Sequence, residues 1–303
     1  MSTPGPLTAQ ALSSITQISP DYGARLQEML GVMDPSFHQQ AEDFFSRFNS
    51  FLRSHGRSFD YGIDCYLKLR ESMLDQRMEF LRTGAYANTS FREVEERVYS
   101  NPEVMRHHMY GLVLAQFFWP DQYQRFRFFR ENLGAYASGL RRYLEIGGGH
   151  ALYASEAMRI LGPSVAYDLV DISPTSIELS RGMCPAGPIR YRLMDIFDLD
   201  EGEPYDFVTI GEVIEHVEDP LAMLRKVRRL LRPGGHAFVS TPANAPTLDH
   251  IYLFHNTGEI RAMIAKADLQ IQQETSRYAE NMPAAKAEKL KVALMFAAFA
   301  KAE

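Results

Sequence analysis

The first 136 residues carry a helical pattern of apolar and polar positions. Apolar residues recur at three- and four-residue spacings in residues 37–52 and again in residues 66–81, which is the period of an amphipathic helix. Asp34-Pro35 and Asn101-Pro102 each place a capping side chain before a proline, a pairing that starts helices. We therefore expect an all-α region of about six helices over residues 1–136, serving as a substrate cap or as a dimerisation domain.

One segment of this region, residues 109–119 (MYGLVLAQFFW), is apolar on nearly all sides. A helix of this kind is buried, and Pro120 closes it. One interpretation places it in the chain's own core. In a second, its aromatic residues wall an apolar substrate pocket between the two halves. In a third, another copy of the chain covers it in a homodimer.

Near Arg141 the pattern changes to short apolar runs separated by helical stretches. Five of these runs predict strands: RRYLEI, SVAYDLVD, IRYRLMD, YDFVTI and GHAFVST. Such alternation is typical of an α/β fold with a mostly parallel sheet and helices on both faces. We expect a helix near residues 257–267 and a strand near 269–275 to follow. Residues 291–300 suit a closing strand, although their alanine content also suits a helix. The predicted second domain covers residues 137–303.

Composition narrows the class of protein only a little. Of 303 residues, 46% are hydrophobic and 23% are charged, and the net charge of −6 gives no general attraction to nucleic acid. Cys65 and Cys184 lie far apart without a CxxC partner, which predicts two buried thiols. Neither a secretory signal nor a membrane span is visible. We therefore expect a soluble, cytoplasmic protein without a membrane or nucleic-acid partner.

A glycine loop follows the first predicted strand. YLEI runs directly into Gly147-Gly148-Gly149 and then into a helical stretch. Glycines let a ligand approach the backbone closely, and the free N–H groups of a helix start favour an anionic group. A dinucleotide fingerprint would need a glycine at position 152, where this chain has Leu152. Glu145 also fits poorly beside a pyrophosphate, so both residues weigh against a nicotinamide or flavin cofactor.

Acidic residues end the next two predicted strands. Asp171 closes YDLVD, 22 residues after Gly149, where a carboxylate can accept hydrogen bonds from ribose hydroxyls. Asp195 follows in MDIFD, in position for an adenine amino group, with Ile196 beside the ring. The segments EVIEHVEDP and LRPGG come next in the chain.

This ordered set resembles the class I S-adenosylmethionine-dependent methyltransferases from about Arg141 to the C-terminus. The resemblance implies a Rossmann-like sheet of seven strands with one antiparallel strand, the last. It also implies that S-adenosylmethionine is the methyl donor, S-adenosylhomocysteine the product, and that the glycine loop holds the methionine end. The residues expected at this cofactor are Glu145, Gly147, Gly148, Gly149, His150, Asp171, Ile172, Asp195, Ile196, Gly211 and Glu212.

A second pattern, ExxEH followed later by DH, resembles the metal-binding set of plant-type small-RNA 2′-O-methyltransferases and of ubiquinone-pathway O-methyltransferases. The resemblance implies that Glu212, Glu215, His216 and His250 bind a divalent metal that lowers the pKa of an acceptor hydroxyl. EVIEHVEDP also occurs in methyltransferases without a metal. In that case a histidine acts as the base, and the candidate catalytic residues are His216, His250 and His255, with Tyr252 orienting the acceptor.

The acceptor remains open between several classes. A large aromatic-rich helical cap favours an enclosed pocket, and so a small organic acceptor of specialised metabolism, methylated on oxygen. The alternatives are a peptide acceptor, a carbon or nitrogen nucleophile without metal, and a scaffold that binds the cofactor without turnover. The His107-His108 pair is interpreted as part of a solvated helix face.

Overall fold

The structure, a computed structural model, describes residues 4–184 and 187–303. Within these residues the first half is helical, as predicted. The helices are α1 (Pro6–Ile18), α2 (Pro20–Gly31), α3 (Pro35–Ser54), α4 (Phe59–Thr83), α5 (Phe91–Val94), α6 (Pro102–Phe118) and α7 (Pro120–Asn132). A π-helical turn, Glu95–Tyr99, continues α5, and a 3₁₀ turn, Leu133–Tyr136, follows α7.

Both predicted capping pairs start helices. The Asp34 side chain accepts a hydrogen bond from the Phe37 backbone N–H at the start of α3. The Asn101 side chain accepts bonds from the first turn of α6. Each bond satisfies a backbone donor that the helix itself leaves unpaired.

Strands and helices alternate in the second half. The elements are β1 (Arg142–Ile146), α8 (Leu152–Leu161), β2 (Ala166–Asp171), α9 (Pro174–Met183), β3 (Ile189–Leu193), β4 (Tyr205–Gly211), α10 (Pro220–Leu230), β5 (Leu231–Ala243), α11 (Thr257–Lys266), β6 (Leu269–Tyr278), α12 (Ala284–Lys289) and β7 (Leu294–Ala302). The sheet has seven strands in the order β3-β2-β1-β4-β5-β7-β6. β7 runs antiparallel to both of its neighbours, and the other pairs are parallel. The predicted Rossmann-like α/β fold is confirmed.

The alanine-rich last run is a strand because it lies inside the sheet. β7 pairs with β5 on one side and β6 on the other. Its side chains alternate between the two faces, with Ala297 and Phe299 in one apolar cluster and Phe296 and Ala298 in the other. Small alanine side chains allow helices to pack on both faces.

Two apolar clusters, one on each face of the sheet, form the core. The first joins the helical half to the sheet and includes Phe44 and Phe117 from the helices and Phe207 and Phe299 from the strands. The second lies under α10 and α11. The helical half therefore packs on the face of the sheet that carries α8 and α9, and α7 contacts β6 and β7 directly. The proposed boundary at residues 136 and 137 stays a prediction, and it falls between the 3₁₀ turn and β1.

The apolar segment 109–119 lies mostly in α6 and is largely buried, as predicted. Cys65 and Cys184 are both buried free thiols, also as predicted. Among the described residues, no helix combines the length and apolar character needed to cross a membrane.

Candidate functional site

The glycine loop lies where β1 gives way to α8, at the point where the strand order reverses. Ligands of open α/β sheets bind in the crevice beside such a point. Gly147 and Gly149 have φ values of +67° and +52°, a left-handed backbone that glycine adopts without strain. A side chain at Gly147 would also collide with Val213, because its Cβ would lie 2.3 Å from a Val213 methyl carbon. The loop must therefore stay free of side chains.

Two buried carboxyl groups flank this loop. Glu145 is 3% exposed, and its Oε2 has no hydrogen-bond partner. Burial raises the pKa of Glu145 to about 8. Asp171 accepts hydrogen bonds from the backbone N–H groups of Gly149 and Ser173. Burial nevertheless raises the pKa of Asp171 to about 6. An unpaired buried carboxyl at Glu145 is suited to a cationic ligand group.

A cavity of about 1320 Å³ runs along the carboxyl edge of the sheet. All eleven residues predicted for the cofactor line it, from Glu145 to Glu212. Asp195, which is exposed, and Ile196 lie at one side of it. A typical ligand pocket measures roughly 300–1000 Å³, so this volume leaves room for an acceptor beside the cofactor. The assignment of each residue to a part of the cofactor stays a prediction.

The helical half supplies much of the cavity wall. Met105, Met109, Leu112 and Phe118 of α6 and Trp119 just beyond it line the cavity. This arrangement agrees with the interpretation in which the apolar segment forms part of a substrate pocket. The same segment also packs into the core of the chain. The core interpretation and the pocket interpretation are therefore compatible.

A tight cluster of three side chains lies at the ends of β4 and β5. Ligand atoms of Glu215, His216 and His250 all lie within 4.8 Å of one another. Glu215 Oε1 is 3.9 Å from His216 Nε2 and 3.8 Å from His250 Nε2. This oxygen is buried and has no hydrogen-bond partner. The other carboxylate oxygen of Glu215 accepts a bond of 2.8 Å from the Thr241 hydroxyl.

Neighbouring groups fix how the two imidazoles face this oxygen. His250 Nδ1 is 2.6 Å from the carbonyl oxygen of Ala245. His216 Nδ1 is 3.2 Å from the carbonyl oxygen of Asp249 and 3.3 Å from its carboxylate. Because these oxygens can only accept, each Nδ1 carries the proton, and each Nε2 offers a lone pair toward Glu215. Two imidazole nitrogens and one carboxylate oxygen then converge as metal ligands do.

Burial and neighbouring charges both shift the pKa values of the groups in and around this cluster. Burial raises the pKa of Glu215 well above its usual range, and the nearby Glu212 raises it further. Burial also lowers the pKa of His250 to about 3. For Asp249, burial acts to raise the pKa, but the histidines around it prevail and hold that pKa below its usual range. A cation among these groups would relieve the unpaired buried oxygen of Glu215.

Glu212 does not join the described three-residue cluster, although the resemblance placed it among the metal ligands. It has a φ of +55°, which is rare for a residue other than glycine. Its side chain forms an ion pair with Arg125 of α7 and accepts a 3.0 Å hydrogen bond from Ser240. These partners hold the carboxylate of Glu212 against the helical half. Among the described residues, the group that could hold a metal ion therefore contains three of the four predicted ligands, Glu215, His216 and His250.

Two other candidates lie outside the cavity wall. His255 is exposed, and its carbonyl rather than its ring contacts Asn244. Tyr252 packs against Phe254, with ring centroids 4.7 Å apart. Neither residue lines the cavity. The structure therefore separates His255 and Tyr252 from His216 and His250, because the chain turns away from the site after His250.

Three residues that the sequence did not place in the site complete it. Tyr99, at the end of the π-helical turn, has its hydroxyl 3.1 Å from His216 Nδ1, and π-helical turns are frequent at functional sites. His108 is buried and lies 3.6 Å from Asp249, so its assignment to a solvated face was wrong. The third residue is Arg125, which forms the ion pair with Glu212. No local spacing marks these residues, because each reaches the sheet from a helix far away in the chain.

Curated relatives match part of this chain. It is 32% identical over 154 residues to a ubiquinone biosynthesis O-methyltransferase of Xanthomonas campestris pv. campestris (strain B100). It is 37% identical over 109 residues to the same kind of enzyme from Xanthomonas oryzae pv. oryzae (strain PXO99A). The matches cover 43% and 35% of this chain, and 63% and 44% of the relatives. The chain thus spans less than two thirds of their length.

Solved structures are similar in architecture at low identity. The N-methyltransferase NodS from Bradyrhizobium japonicum WM9, in complex with S-adenosyl-L-homocysteine, gives a TM-score of 0.49 at 15% identity, covering 70% of this chain and 98% of that one. The mitomycin 7-O-methyltransferase MmcR gives 0.49 at 16% identity, covering 76% and 68%. A family model described as a methyltransferase domain matches residues 116–288, more than half of the chain. This chain belongs to that family and is a class I S-adenosylmethionine-dependent methyltransferase.

Proposed function

We propose that this methyltransferase transfers a methyl group to an oxygen atom of a small organic acceptor, with a divalent cation held by Glu215, His216 and His250. The observation that carries the proposal is the convergence of two imidazole nitrogens on an unpartnered, buried carboxylate oxygen. A divalent cation at such a site lowers the pKa of an acceptor hydroxyl. Imidazole and carboxylate ligands together suit manganese, zinc and related ions.

The residues of the chain would prepare the reaction in two ways. The glycine loop and its carboxyl groups position the cofactor, whose sulfonium supplies an electrophilic methyl group. Asp249 and the Ala245 carbonyl hold the two imidazoles in one orientation each. Because methyl transfer is an in-line displacement, most of its catalysis comes from such positioning and from exclusion of water.

The shape of the cavity supports a small acceptor. Helices α2, α4 and α6 line part of the cavity with apolar side chains such as Met29, Met73 and Leu112. Concave, mostly apolar pockets favour small organic molecules over extended macromolecules. Specialised metabolism as the setting and a cytoplasmic location stay predictions from the sequence.

Metal content tests the proposal directly. The protein is supplied with magnesium, manganese or zinc, dialysed, and measured by mass spectrometry, while calorimetry records its affinity for S-adenosylhomocysteine. We expect about one divalent cation per chain in the wild type, loss of that ion in His250→Ala, and unchanged cofactor affinity in both. His255→Ala is the matched control, because His255 is exposed and lies outside the cavity.

A wild type that retains no divalent cation would contradict the proposal. Transfer would then rely on histidine as the base, or on a carbon or nitrogen nucleophile. Retention of the ion in His250→Ala would contradict the ligand assignment alone.

A further inference from the structure

We infer that the acceptor is elongated and carries an acidic group, such as a carboxylate, at the end remote from the reacting oxygen, and that Arg70 binds this group. The inference rests on the proposed function, because it takes the cluster of Glu215, His216 and His250 as the position of the reacting oxygen. It adds the chemical class of the acceptor.

Arg70 is a half-buried cation on the cavity wall. Its guanidinium carbon lies 3.8 Å from the centre of the Tyr22 ring. Within the described residues it forms no ion pair with a carboxylate. A guanidinium that lies over an aromatic face keeps the N–H groups at its edge available for a planar anion. Arg70 therefore offers an unused, oriented binding group for a carboxylate.

The ring under Arg70 is itself held in place. The Tyr22 hydroxyl is hydrogen-bonded to the Tyr66 hydroxyl. The Trp119 indole N–H donates to the same Tyr66 hydroxyl over 2.9 Å. Tyr22, Arg70 and Trp119 all line the cavity. This chain of contacts makes the Arg70 end a built part of the site rather than a mobile surface group.

Helix α4 extends from the side of the cavity near the cluster to Arg70. Phe80 packs against Tyr86, and Tyr86 lies 5.8 Å from the His250 ring, between centroids. Arg70 precedes Phe80 by ten residues on α4, which corresponds to about 15 Å along the helix axis. Phe80 lies on the side of the cluster, so Arg70 lies toward the remote end of α4.

Helix α6 gives an independent measure. His108 lies 3.6 Å from Asp249, which holds His216. Trp119 follows the other end of α6 and donates a hydrogen bond to Tyr66, whose hydroxyl also bonds the hydroxyl of the Tyr22 ring that lies under Arg70. His108 and Trp119 are eleven positions apart, which corresponds to about 16 Å along the helix axis. Both helices therefore place Arg70 away from the cluster, and an acceptor that reaches from one to the other must be elongated.

The wall between the two ends is apolar and adaptable. Met29, Met73 and Leu112 line it, and methionine adjusts to irregular apolar shapes. Of the other arginines on the same helices, Arg77 is occupied by the backbone carbonyls of Leu290 and Lys291. Arg25 is exposed at the rim, one turn from the acidic Glu28. These contacts leave Arg70 as the anion-binding group at the far end.

Binding of paired probes tests the inference. The probes are dihydroxyphenyl alkanoic acids with short and long chains, each paired with its primary amide, titrated into full-length protein saturated with S-adenosylhomocysteine. For chains long enough to span the two ends, we expect the acid to bind roughly ten- to a hundredfold more tightly than the amide. Short acids should show no such preference. Arg70→Ala should abolish the preference, and Arg70→Lys should restore part of it.

Arg57→Ala is the matched control. Arg57 is also half-buried and lies over a tyrosine, with its guanidinium carbon 4.7 Å from the Tyr61 ring centre, but it does not line the cavity. The acid preference should survive in this variant. Thermal unfolding and cofactor affinity of Arg70→Ala verify that the fold is intact.

Several outcomes overturn the inference: equal binding of long acids and amides, failure of every long acid to bind, or an acid preference that persists in Arg70→Ala. Its failure is distinguishable from that of the proposed function. Metal-dependent methylation of neutral acceptors would sink the Arg70 inference alone. Arg70-dependent binding of long acids by a protein that holds no metal would sink the proposed function alone.

Discussion

Replacement of Glu145 by glutamine tests the electrostatics of the cofactor site. The Glu145 carboxyl is buried with one oxygen unpaired, and burial raises its pKa to about 8. At pH 7 roughly nine of ten ligand-free molecules therefore hold a proton on it. The ammonium group of S-adenosylmethionine or S-adenosylhomocysteine should select the ionised carboxylate, so we expect binding to release that proton.

The size of the effect follows from the pKa. If Glu145 is fully ionised in the complex, protonation of the free protein multiplies the apparent Kd by the factor 1 + 10^(pKa − pH), with a pKa of about 8. This factor is about 101 at pH 6, about 11 at pH 7 and about 2 at pH 8. Affinity should thus rise about ninefold from pH 6 to pH 7 and about fivefold from pH 7 to pH 8.

Calorimetry with S-adenosylhomocysteine, in buffers of different ionisation enthalpy, measures both Kd and the protons released. We expect about 0.9 proton released at pH 7 in the wild type and close to none in Glu145→Gln, whose Kd should vary little with pH. Glu203→Gln removes an exposed carboxylate outside the cavity and serves as control. A wild-type Kd that stays constant from pH 6 to pH 8, without proton release, would refute the reasoning.

The structure supports four further predictions. The raised pKa of Glu145 means that its contribution to the free energy of unfolding is complete below its ordinary value of 4.5 and is lost as the pH rises through about 8; denaturant titrations of ligand-free wild type and Glu145→Gln should diverge over that window. Gly147→Ala should weaken S-adenosylhomocysteine binding at least tenfold in calorimetry, because the new Cβ would meet Val213 at 2.3 Å and the φ of +67° disfavours alanine. Arg125→Leu should destabilise the fold by about 3–5 kcal/mol in urea titrations, because it removes the cation paired with Glu212 and leaves that carboxylate only its hydrogen bond from Ser240; Arg125→Leu combined with Glu212→Leu should recover most of this loss. Asp249→Asn should weaken metal binding by roughly 10–100-fold in a competition assay and leave cofactor affinity intact, because Asp249 orients His216.

The fold follows from periodicity to a large extent. Runs such as YDFVTI alternate between the two faces of the sheet, and strand β4 places Phe207 in one cluster and Val208 in the other. The last run could not be assigned from its own composition. Residues 294–302 form a strand because two neighbouring strands supply hydrogen-bond partners, and local propensity carries no information about such partners.

The site was predictable where its residues follow the carboxyl ends of the strands. The eleven cofactor residues end successive strands, so their order along the chain predicts their common edge, and the structure places all of them on the cavity wall. Glu212 precedes Glu215 by three residues and His216 by four, a spacing that a regular helix would bring to one face, but the backbone at Glu212 turns left-handed and its side chain meets Arg125. Spacing within a motif assumes a regular helix, and here the residues after β4 form only a short 3₁₀ turn, Ile214–His216.

The candidate acceptor site extends beyond the part of the chain that the family model matches. The family model begins at residue 116, yet Tyr99 and His108 contact the His216 and Asp249 pair, and Arg70 lies farther still toward the N-terminus. Arg70 lies on α4, Tyr99 at the end of the π-helical turn and His108 on α6, and all three line the cavity. Relatives that match the sheet therefore inform on the methyl donor, whereas the helical half must be tested for the acceptor.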